Sequence, residues 1–100
     1  MDELTVTITH HERSDGGEYR AHPAGSPSTG RMTWRWHGDA RVVDHTIVPP
    51  EFRNQGVAAR LVEAIVADAR AEGFKIIPEC SYVVAAFQQH PEWADLRAEY

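Results

Sequence analysis

The opening stretch LTVTITHH, residues 4–11, alternates between apolar and polar positions. Leu4, Val6 and Ile8 face one way, and Thr5, Thr7 and Thr9 the other. That is the period of a half-buried strand. SDGG at 14–17 reads as a turn, and EYRAHP as a second strand antiparallel to the first. PAGSPSTG, 23–30, predicts a mobile loop of hairpin length. RMTWRWH alternates again, with Met32, Trp34 and Trp36 against Arg31, Thr33 and Arg35. HGD turns the chain into ARVVDHTIV, a fourth strand that ends at Pro49-Pro50. From Val57 the period lengthens. Val57, Leu61 and Ile65 form one helical stripe flanked by Ala58, Val62, Val66 and Ala69, while Glu63, Asp68, Arg70 and Glu72 fall mainly opposite. Gly73 is a left-handed stop. FKIIPEC is a short buried strand, and Ser81 caps a second helix, YVVAAFQQH, which Pro91 ends. EWADLRAEY reads as a further turn of helix and a tail.

The order β-β-β-β-α-β-α predicts an α+β fold. Its sheet is mostly antiparallel and twisted, with one right-handed crossover and hence one parallel pair. One hundred residues make a single domain, 1–100. A chain this short buries only about 60–65% of its unfolded surface, but 42% hydrophobic residues and three tryptophans allow one packed core. The formal charge of −5 argues against nucleic-acid binding and against anchoring to anionic membranes. No apolar run reaches the roughly 18 residues a spanning helix needs. The N-terminal stretch lacks a basic region followed by an apolar one, so a cytoplasmic protein is expected. The single cysteine, Cys80, excludes an internal disulfide and a cysteine-based zinc cluster, and no metal is expected.

PPEFRNQGVAARLV, 49–62, passes from a stiff turn into the long helix. A helix N-terminus carries about four unpaired N–H groups and roughly half a positive charge, and it binds anions when the backbone can approach them. Gly56 has no Cβ to obstruct that approach, Ala58 is small, and Arg53 can fork onto phosphate oxygens. The commonplace alternative is a glycine kept for its conformation and a solvated arginine. No Gly-Lys-Ser/Thr follows, so this is not a P-loop. A dinucleotide fingerprint is also missing.

The stretch from Val42 to Ile76 resembles the signature of the GNAT acetyltransferases, through Val48, Pro49, Glu51, Phe52, Arg53, Gly56 and Ala58. It is most similar to a branch of very small members with HTxVPPExRxxGxA and a later Cys…HPE. The matching residues are His45, Thr46 and Val48 to Glu51, then Pro78, Cys80, His90, Pro91, Glu92, Asp95 and Leu96. The resemblance implies coenzyme A as ligand and acetyl-CoA as cosubstrate. Arg53, Asn54, Gln55, Gly56, Val57 and Ala58 would wrap its pyrophosphate, and Val48 would pair with the pantetheine amides like an added strand. Strands four and five would splay, with the thioester in the gap beside Cys80 and Tyr82. Larger relatives place two helices between the first two strands. This chain has only ERSDGG there, so its acceptor site should be open and its acceptor loosely defined.

Acetyl transfer needs a neutral amine, a polarised carbonyl and a protonated leaving thiolate. Cys80 lies just before a helix start, the kind of place where thiols become nucleophilic, and either carries the acetyl group or lines the pantetheine channel. A lone cysteine is otherwise a small buried hydrophobe. His45 is the candidate base, against the structural role most strand histidines have. Strict alternation puts His45 with Ile47 and Asp44 with Thr46, so His45 and Asp44 share a site only if the strand bulges. Two departures stand out. Relatives often carry Glu where this chain has Ile47, and Tyr where it has Phe87, which reads as core. Tyr82 offers a phenol instead.

His10 and His11 face opposite ways, so joint metal ligation is not expected. His22 and His37 sit near turns, and His90 would fix a helix end. Trp34 and Trp36 read as core, with the cofactor wall as the alternative. The expected function is acetyl-CoA-dependent N-acetylation of an amine, either a small molecule or a protein Lys or N-terminus. Its rivals are a CoA-binding protein with little turnover and an interaction module without ligand. A monomer or weak homodimer is expected, with the first strand as the open edge.

Overall fold

The computed structural model describes residues 5–100. The first strand runs Val6–Arg13 (β1), and Leu4 of the expected strand lies outside the described residues. Strands β2 (Gly16–Pro23), β3 (Gly30–His37) and β4 (Ala40–Ile47) continue an antiparallel meander. Helix α1 (Val57–Glu72) crosses over to β5 (Lys75–Pro78), which pairs parallel with β4, and α2 (Ser81–Gln89) follows. Short 3-10 turns cover Pro50–Phe52 and Pro91–Leu96. The sheet order is β1-β2-β3-β4-β5, the α+β arrangement expected from the periodicities, with β1 at a free edge. Among the described residues no helix is long and apolar enough to cross a membrane.

Helix α1 forms because its apolar residues recur on one side. Val57, Leu61, Val62, Ile65, Val66 and Ala69 are buried, and Gly73 closes the last turn at φ 83°, its N–H donating to the Ala69 carbonyl at 2.9 Å. Those side chains meet Tyr19, Ala21, Met32, Trp34, Val43 and Ile76 from the sheet, together with Val83 and Phe87 of α2. Each fully buried Leu, Ile, Val or Phe is worth about 1.5–3 kcal/mol relative to exposure. Both helices thus join one core on one face. The other face carries only a small cluster, Ala40, Val42 and Ile77, with Ala98 against it.

Several local expectations change. The first turn is Ser14–Asp15, between the paired Arg13 and Gly16. Gly16 and Gly17 lie inside β2, where a Cβ on Gly17 would sit 2.8 Å from the Trp34 ring and 2.7 Å from the His11 carbonyl oxygen. Gly17 makes room for the tryptophan ring, and Gly16 for the close approach of the β3 backbone, whose Trp34 carbonyl oxygen a Gly16 Cβ would strike. Trp36 is not core: it is 38% exposed, edge-on to the buried Trp34. Ser81 is the first helical residue of α2, and Cys80 holds the cap position without a side-chain cap bond. The tail extends the sheet. Arg97 bridges Ile76 in parallel, and the Ala98 N–H donates to the Ile76 carbonyl at 2.9 Å.

Beside the last turns of α1 lies a buried polar network. The Arg41 guanidinium is 2% exposed and rests on the rings of Trp34 and Phe74, at 4.1 and 4.0 Å. It donates to the Tyr19 hydroxyl at 3.2 Å and pairs with Glu12 and Glu72 at 3.5 and 3.7 Å. Tyr19 donates in turn to Asp68 at 2.6 Å. Burial, then that carboxylate, hold its phenol well above the ordinary range. His10 stacks on Tyr19 at 4.1 Å and accepts the Trp34 indole N–H at 3.1 Å.

Candidate functional site

The turn before α1 adopts left-handed backbone twice, at Asn54 (φ 63°) and Gly56 (φ 81°). Asn tolerates that region and glycine enters it freely. This reversal starts the helix abruptly. Its first backbone bond runs from the Arg60 N–H to the Gly56 carbonyl at 3.1 Å, so the amides of Val57, Ala58 and Ala59 have no acceptor within the helix. Among the described residues no side chain caps them, and the first turn carries no acidic residue. Nothing lies within 4 Å of where a Gly56 Cβ would stand.

Val57 and Ala58, which carry two of these amides, border a cleft of about 510 Å3. Val48, Arg53, Asn54, Gly56, Val57, Ala58 and Tyr82 line it, as do Thr46, Ile47 and Phe52. Seven of the residues expected at the cofactor are therefore together. Gln55 is not in the wall: its side-chain amide donates to the Glu51 carbonyl at 2.8 Å and braces the turn. Ser28 of the β2–β3 loop donates to the Glu51 carboxylate at 3.0 Å, tying that loop to the same turn. Thr46 and Phe52 match the motif in the sequence but carried no expected role at the cofactor, and the structure puts both in the wall.

The inner end of the cleft is where β4 and β5 separate. Their last pair is Val43 with Pro78. Beyond it, the N–H groups of Glu79 and Cys80 both donate to the Val43 carbonyl, at 3.0 and 2.9 Å. A single carbonyl thus ends the ladder, and β5 turns into α2. Cys80 does not line the cleft, but its thiol donates to the Thr46 hydroxyl at 3.6 Å, and Thr46 does. Cys80 is half-buried and packs against the main core.

The register of β4 shifts at the same place. Thr33 pairs with His45, but Trp34 pairs with Val43, so Asp44 is the additional residue of a bulge. Asp44 accepts from the Thr33 hydroxyl at 2.5 Å and from Arg35 at 3.3 Å, on the face away from α1. His45, paired with Thr33, is exposed on that same face. The bulge thus puts Asp44 and His45 on one side, which strict alternation forbids. Ile47 is 54% exposed in the cleft wall and Phe87 is 6% exposed in the core. Neither supplies a polar group, while Tyr82 presents a 43% exposed ring.

Three features converge on this end of the molecule: uncapped amides, a long cleft, and a parallel pair that opens at its floor. The chain matches the family described as GCN5-related N-acetyl-transferase over residues 18–96. It also resembles the solution structure of a GCN5-like protein from Staphylococcus aureus, with a TM-score of 0.69 and 23% identity, covering 100% of this chain and 93% of that one. The chain belongs to the GCN5-related N-acetyltransferase family.

Proposed function

We propose that this protein transfers the acetyl group of acetyl-CoA to an amine. The observation that carries the reading is the uncapped, acid-free start of α1, which opens onto a cleft leading to the β4/β5 separation. A diphosphate meets backbone donors and the positive helix end at one extremity, with Arg53 beside it. The pantetheine runs along Val48 and Thr46, and the thioester reaches Cys80. The cleft volume suits a ligand of that size.

In direct transfer the amine nitrogen attacks the thioester carbonyl, the C–S bond breaks, and CoA leaves as the thiol. His45 takes the amine proton, and Tyr82, which lines the cleft, offers a phenol to protonate the departing sulfur. In the alternative route the Cys80 sulfur attacks the thioester carbonyl first, the C–S bond to CoA breaks, and CoA leaves as the thiol with the Cys80 proton. The acetyl-cysteine then passes its acetyl group to the amine, regenerating the Cys80 thiol. The acceptor, a small molecule or a protein amine, meets little enclosure, since a two-residue turn joins β1 to β2.

Calorimetry with CoA, turnover with a panel of amines, and the intact mass after incubation with acetyl-CoA test this together. Binding with turnover supports the proposal, and no heat with CoA overturns it. An acetyl adduct lost in Cys80→Ala assigns the covalent route; normal turnover of that variant assigns direct transfer. A second reading, CoA binding without turnover, is favoured by the apolar Ile47 and the buried Phe87. Binding with no acetylated amine would select it.

A further inference from the structure

On the face away from the helices, Arg35 of β3 reaches across the opening between β4 and β5. It donates to Asp44 at 3.3 Å and to both carboxylate oxygens of Glu79 at 3.1 and 2.8 Å. Its remaining reach meets the Tyr100 hydroxyl at 2.5 Å, and that hydroxyl also bonds Glu79. The placement follows from the register. Val43 and Pro78 are the last paired residues, so Asp44 and Glu79 are the first residue on each strand past the pairing. Two carboxylates therefore flank the point where the strands part, with one guanidinium between them. The next link inward is the thiol of Cys80 on the Thr46 hydroxyl.

We propose that Arg35 is a positioning residue that holds the β4/β5 gap at its working width, by bridging two carboxylates that would otherwise drive the strands apart. Hydrogen bonds from Arg35, then from Tyr100, hold the Glu79 carboxyl down to about 2, so it stays charged throughout the working pH range. The guanidinium fork grips both oxygens of one carboxylate and still reaches the other. A lysine ammonium lacks that geometry. The bulge at Asp44 is what brings the second carboxylate within reach.

The role rests on the acetyl-transfer reading only for its purpose, and its test stands apart from that reading. The chain has one cysteine, so the rate at which iodoacetamide alkylates Cys80 in the native protein reports the gap directly. Arg35→Met should raise that rate about fivefold, the equivalent of one strong exposed ion pair, while amide exchange along α1 stays at the wild-type level. Arg35→Lys should fall between. Glu79→Gln added to Arg35→Met removes the repulsion and should return the rate towards wild type, which a simple loss of packing would not do. An unchanged rate in Arg35→Met, or no return in the double variant, overturns the proposal.

Ligand affinity provides a second reading of the same variants. Arg35→Met should bind 3′,5′-adenosine diphosphate, a probe of the phosphate end alone, as wild type does. It should lose about fivefold in affinity for acetyl-CoA. If the wild type binds neither, the acetyl-transfer reading fails while alkylation still decides the role of Arg35.

Discussion

At its C-terminal end α1 meets side chains that answer one another: Arg41 is enclosed by Trp34 and Phe74, and Tyr19 links it to Asp68. At its N-terminal end the same helix meets no capping side chain, and the surrounding wall is an open cleft. The helix dipole favours a cation beside the last turn, and its bare first-turn amides favour an anion. The two ends differ in what satisfies the polar groups. One end is completed by the chain itself, leaving among the described residues only Arg41 Nε buried without a partner. The other is left without a side-chain partner among the described residues. A helix end left unsatisfied in an otherwise paired structure points to a binding site, whereas a buried charge that has found its partners points to stability.

The comparison is broken most severely at the open end. Gly56→Glu puts a carboxylate among the amides that would hold the phosphate in the proposed reading, with no described neighbour within 4 Å to displace. Affinity for CoA should fall by about two decades or more, as like-charge juxtaposition costs several kcal/mol. The left-handed φ should cost only about 1 kcal/mol of stability. Calorimetry and denaturant titration read the two separately, and unchanged CoA affinity would reject the phosphate seat.

At the closed end the pattern should invert. Arg41→Ala removes a buried cation with its aromatic packing and should lower stability by about 3 kcal/mol, the lower part of the range for breaking a buried pair. The reason for the lower value is that Glu12 and Glu72 are 53% and 57% exposed and can turn to water. CoA affinity of the folded fraction should not change. A stability loss below about 1 kcal/mol, the scale of a surface pair, would mean that the network is no more than surface electrostatics.

The smallest expected effect is on pH dependence. Burial first, and the nearby Arg41 charge second, lower the His10 pKa below its ordinary 6.5. The unfolded chain then binds a proton at a pH where the folded one does not. Stability from His10 is full above about 6.5 and is lost as pH falls from there through the folded value. Protonating the nitrogen that accepts the Trp34 indole N–H also breaks that bond. Thermal midpoints between pH 7.5 and 5.5 should therefore fall more steeply for wild type than for His10→Gln. Parallel slopes would remove His10 from the network.

Much of the architecture was legible because period and punctuation are local. Alternation marked β1 and β3, turn residues and the Pro49-Pro50 stop bounded β2 and β4, the 3.6-residue stripe marked α1, and Gly73 marked its end. The turn from Arg53 to Ala58 was legible too, since glycine and the residues around it report backbone requirements directly. Long-range accommodation was not. Gly16 and Gly17 look like a turn, but their lack of side chains serves the backbone and the tryptophan ring of the neighbouring strand. Trp34 and Trp36 have the same spacing from their neighbours, yet only one is covered.

What the sequence determined alone is the succession of elements and the helix start that lacks a cap, because both depend on residues close together in the chain. Tertiary structure decided which polar groups meet. The bulge at Asp44 is a mismatch between two strands and exists only once they pair. It brings together Arg35, Asp44 and Glu79, whose sequence separations reach 44 residues, and no local pattern encodes a contact whose geometry is set by the register of a sheet.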